Sequence, residues 1–185
     1  MGSYGRNFDF RVTPKAQDRQ ARYSVETALP IGAPVVVTGD TDDYGRMVVE
    51  LAAEGADKPD PGQGGIAVYE YAWMAFRGDD PSLVQYSDKD VVPANEALQV
   101  VSGSANKVVL TNTSARSFGS RNYTGRKMVA GVGATPTVEA GDYLCPGAGN
   151  ATDGYWKKTT DPTEAWLVVT SVDSVRDEVE ARLNF

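Results

Sequence analysis

The sequence has no histidine, a single cysteine and no apolar run approaching the length that spans a bilayer. Without histidine the chain lacks the usual general base near neutral pH and the commonest zinc ligand, which excludes Ser-His-Asp, Cys-His and zinc-hydrolase sites. Cys145 has no partner for an intrachain bridge, so a disulfide-stapled secreted scaffold is excluded and the thiol reads as a half-buried apolar strand residue. The opening Met1-Gly2-Ser3-Tyr4-Gly5-Arg6 lacks the apolar core of a signal peptide, and a soluble protein made in a cytoplasm is expected. Positive charge is also short: 18 basic against 25 acidic residues leave a net charge of −7, which argues against a nucleic-acid-binding surface. Neither a nucleic-acid nor a membrane partner is expected.

What is present points to one domain, since 185 residues suffice to bury a real core. Its charge is unevenly spread. Residues 1–28 hold Arg6, Arg11, Lys15, Arg19 and Arg22 against Asp9, Asp18 and Glu26, a balance of +2 that leaves −9 for the rest. The same stretch carries Tyr4, Phe8, Phe10 and Tyr23 without a sustained period, and it reads as an extended amino-terminal arm. Disordered tails are usually poor in aromatics. An arm of this kind suits a neighbouring protein, with aromatic anchors and arginines paired to acidic groups. The residues assigned to partner binding are Arg6, Phe8, Phe10, Arg11, Lys15, Arg19 and Arg22.

Residues 29–185 read as a single all-β domain, a small β-barrel or β-sandwich, with 77–132 as a long, loop-rich middle. Val35-Val36-Val37-Thr38 has the composition of a buried strand, Gly39 to Gly45 reads as a turn, and Arg46 to Leu51 returns, with helix as the rival there. Ile66 to Trp73 is the second strong strand. Leu83 to Tyr86 adds a short one, and Lys127 to Val132 another. Leu98–Val101 and Lys107–Thr111, flanking Ser102 to Asn106, predict a hairpin. Val138 to Gly147 reads as a short buried strand framed by turns at Gly141 and at Pro146-Gly147. Trp166 to Val172 is a strand. At the end of the chain Val179, Ala181, Leu183 and Phe185 alternate with polar residues, which favours a terminal hairpin over the competing helical period.

The candidate motifs stop short of chemistry. Asp40-Thr41-Asp42-Asp43-Tyr44-Gly45 starts like a calcium loop but places Leu51 where such a loop needs a bidentate glutamate, so it reads as a solvated acidic turn. Gly62-Gln63-Gly64-Gly65 and Gly131-Val132-Gly133 lack the rest of a phosphate-binding loop. Glu70 with Glu139 or Asp142 is a conceivable acid–base pair that the sequence does not bring together. Trp73, Tyr155, Trp156 and Trp166 favour core packing over a sugar-stacking platform. No catalytic residue, cofactor site or metal site is assigned, and the chain is read as not an enzyme.

Three stretches carry a family resemblance: Leu29-Pro30-Ile31-Gly32-Ala33-Pro34-Val35, Val138-Glu139-Ala140-Gly141-Asp142-Tyr143-Leu144, and Trp166 to Val172 with Val179-Glu180-Ala181-Arg182-Leu183. Together they resemble the head decoration, or cement, proteins of tailed bacteriophages over about 60 residues, through an entry turn, a late Gly-Asp turn and a terminal hairpin. The resemblance implies a small β-barrel-like virion protein on the outer capsid surface, a homotrimer partnered by the phage major capsid protein, often through an amino-terminal arm. The long middle departs from the small members of that family. A β-structured module that binds a glycan or host surface is the alternative.

Overall fold

The computed structural model describes residues 10–13, 22–30, 32–68, 91–92, 94–104, 107–111, 138–149, 154–175 and 178–185. Among them every regular element is a strand, so the protein is all-β. In chain order these are β1 (Phe10–Thr13), β2 (Arg22–Val25), β3 (Leu29–Pro30), β4 (Pro34–Thr41), β5 (Met47–Leu51), β6 (Gly64–Val68), β7 (Val91–Val92), β8 (Ala97–Val101), β9 (Lys107–Thr111), β10 (Tyr143–Pro146), β11 (Trp156–Thr159), β12 (Leu167–Asp173) and β13 (Glu178–Leu183).

Five strands close a barrel in the order β2-β5-β4-β6-β8. The valine runs of β4 and β5 pair antiparallel, Val35 with Leu51 and Val37 with Val49, because β-branched side chains pack well on a pleated surface. Closure falls to β2, which runs parallel to β5 and antiparallel to β8. A barrel has no edge strand, so each of the five is paired on both sides. Gly65 makes one contact possible: a Cβ there would run into the Val101 carbonyl and the Val100 side chain, so only glycine lets β6 lie this close to β8.

A six-stranded sheet in the order β1-β9-β13-β12-β10-β11 packs beside the barrel, and β3 with β7 forms a small third pair. Leu167 stands opposite Leu183 and Val172 opposite Val179, with an irregularity between Val169 and Ser171. Val179, Ala181 and Leu183 are buried alternately, so the terminal strand prevails over the helical period.

One hydrophobic cluster joins barrel and sheet. Trp156 and Trp166 are fully buried and meet edge-on at 6.1 Å, and Trp166 meets Phe185 in the same manner at 5.4 Å. Each indole N–H donates to a carbonyl on the barrel side: Trp156 to Gly32 at 2.9 Å and Trp166 to Ala56 at 3.0 Å. The Gly55 amide returns a bond to the Pro146 carbonyl at 2.9 Å. The tryptophans are therefore core residues that lock the two layers, as their composition favoured.

One sequence expectation is corrected. Residues 97–101 and 107–111 are strands but not a hairpin: β8 is flanked by β2 and β6 in the barrel, and β9 by β1 and β13 in the sheet. The two strands belong to different layers because both edges of each are taken by other partners. Within the amino-terminal stretch, β1 joins the sheet and β2 the barrel, with Tyr23 and Val25 buried. The long middle supplies β8 and β9 where strands were expected, and Leu98, Val100, Val101, Val108 and Leu110 are buried there. Of the second strong strand the described part is Gly64–Val68, whereas its continuation to Trp73 and the strands expected at 83–86 and 127–132 lie outside the described residues.

Candidate partner-binding surface

Of the seven residues assigned to partner binding, three lie in described strands. Phe10 and Arg11 belong to β1, where the register sets Phe10 opposite the buried Leu110 and Arg11 opposite Val109. Arg22 opens β2, opposite Gln99. Arg6, Phe8, Lys15 and Arg19 lie outside the described residues. The two pairings share one direction: β1 and β2 both run antiparallel to the β8–β9 stretch, from Thr13 opposite Lys107 to Arg22 opposite Gln99. Residues 14–21 and 100–106 thus separate matched pairs by nearly equal lengths of chain. Both described strands of the amino-terminal stretch are paired to the body, and β1 is an outer strand of the sheet.

At the end of the barrel, the β4–β5 turn is built on Asp42. Its Oδ1 accepts the Tyr44 amide at 3.0 Å and the Arg46 amide at 2.8 Å, and its Oδ2 accepts the Arg46 Nε–H at 2.6 Å. The Asp42 amide donates to the Arg46 carbonyl at 2.9 Å, and Gly45 turns the chain at φ 74°. Arg46 then reaches the Asn95 carbonyl at 3.3 Å, fixing the turn to the segment that enters β8. Burial acts to raise the Asp42 pKa, but the Arg46 amide and guanidinium, the Ser24 hydroxyl and the Tyr44 amide more than offset it and hold the carboxyl at about 2. The Ser24 hydroxyl, in a residue 2% exposed, is directed to Asp42 without reaching full hydrogen-bond geometry.

This frame displays Tyr44, which is 84% exposed, with the Arg46 guanidinium 5.1 Å from its ring centroid. Met47, 42% exposed, follows directly. Asp40 and Asp43 are exposed, and neither carboxylate has an ion-pair or hydrogen-bond partner among the described residues. The acidic turn expected from sequence is there, but its central carboxylate is an internal brace rather than a solvated charge. The i,i+4 spacing of Asp42 and Arg46 across Gly45 was the available signal for that brace.

The late Gly-Asp turn uses the same device. Gly141 has φ 96°, and Asp142 accepts the Glu139 amide at 2.8 Å and the Lys158 ammonium at 2.7 Å. Burial opposes ionisation of Asp142, yet Lys158 and the Glu139 amide leave its pKa below the ordinary value. Asp142 is thereby committed to structure, while Glu70 lies outside the described residues. Cys145 is fully buried, and burial raises its thiol to about 11, which leaves it unreactive at neutral pH. Among the described residues, no group of three or more His, Cys, Asp or Glu is placed to hold a metal ion.

Comparison with known proteins adds a fold neighbour. No family model matches the chain, and no curated protein does either. Among solved structures it aligns with the N base of the head fibre gp8.5 of bacteriophage phi29, over 95% of this chain and 94% of that one, at 12% sequence identity and a TM-score of 0.46. The chain is similar to a bacteriophage head protein. The similarity is loose in both sequence and geometry.

Proposed function

We propose that the chain is a non-enzymatic virion structural protein that binds the outside of a phage capsid and stabilises the lattice of the major capsid protein. One observation carries this reading: the three stretches that resemble decoration proteins are far apart in sequence but adjacent in space. Gly32 accepts the Trp156 indole, Trp156 packs on Trp166, and the Gly141-Asp142 turn exchanges backbone bonds with Val169, from the Gly141 amide to the Val169 carbonyl and from the Val169 amide to the Asp142 carbonyl, both at 2.8 Å. The shared features thus form one framework rather than scattered matches. A protein of this kind acts by binding the mature lattice at many equivalent sites, each adding free energy to the assembled state. Buried surface and charge do that work without an active site.

In this reading the amino-terminal stretch faces partners: Arg11, Lys15, Arg19 and Arg22 supply charge, Phe8 and Phe10 apolar area, and Arg6 a contact to a neighbouring subunit of a homotrimer. Lys15→Glu combined with Arg19→Glu is the direct test, measured by co-sedimentation with capsids at two salt concentrations. Weaker binding is expected, with the difference from the unaltered chain shrinking at high salt as screening sets in. Unchanged binding at low salt would rule the stretch out as the contact.

A further inference from the structure

We draw no further inference here: the strongest candidate, the cross-strand row of Lys107, Arg182, Val168 and Tyr143 on the exposed face of the six-stranded sheet, carries none because nothing in the structure shows what covers it.

Discussion

The Asp42 carboxylate accepts three hydrogen bonds from Tyr44 and Arg46, and this is what converts a run of acidic residues into a fixed turn. Asp142, Asp161 and Glu180 are held below their ordinary pKa values as well, Asp161 by the Thr163 amide and hydroxyl and Glu180 by the Thr170 hydroxyl and Lys107. A carboxylate with a depressed folded pKa adds stability that is present above its unfolded value and is lost as pH falls toward the folded one. The melting temperature should therefore decline below about pH 4, the ordinary Asp and Glu range, and continue down to about pH 2, where Asp42 itself protonates. In thermal melts between pH 2 and 7, Asp42→Asn should lower the neutral-pH value and flatten the acid decline; an unchanged profile would show that Asp42 carries none of it. Trp156→Phe removes the indole N–H and strands the buried Gly32 carbonyl, for an expected loss of about 1–3 kcal/mol in chemical denaturation. The core role of Cys145 was legible in its strand context. The brace at Asp42 was missed, because acidic residues in a turn look alike whether they face water or fold back on the backbone, and only the i,i+4 spacing to Arg46 set Asp42 apart.

At the scale of elements, most strands were legible from β-branched composition and alternation, and their partners were not. The β8–β9 segment has every local sign of a hairpin, yet pairing is decided by which edges remain open once β2 and β1 have arrived from much earlier in the chain. The same non-local fact hid the integration of the amino-terminal stretch, whose basic residues and missing period concealed two short strands. Deleting residues 2–25 should therefore unfold the barrel by removing its closing strand β2, whereas deleting residues 2–9 should leave the melt nearly unchanged. Near-UV circular dichroism and thermal melts of the two truncations separate these outcomes, and a folded 2–25 deletion would mean that β2 is dispensable. At the late turn, Gly141 has open space around it but a backbone angle of 96°, so Gly141→Val should cost about 1–2 kcal/mol or more through backbone conformation alone. Denaturant melts would show this as a lower midpoint at unchanged slope.

For the whole molecule, the barrel and the six-stranded sheet act as one body because two tryptophans of the sheet side are bonded into the loops of the barrel side. The all-β class and the closing hairpin could be read in advance, since both rest on local alternation. The layer-to-layer joint could not, since Trp156 and Trp166 find carbonyls 124 and 110 residues away. The basic amino-terminal stretch stood out in the sequence as charge and aromatic content, whereas the rigid β4–β5 turn built on Asp42 did not. The measurement that bears most directly on the proposed role is the thermal disruption of phage capsids stripped of their decoration protein, with and without the purified chain, alongside the amount of chain that pellets with them. Saturable binding in a fixed ratio to the major capsid protein and a higher disruption temperature are expected. Capsids that neither retain the chain nor gain heat resistance from it would contradict the role.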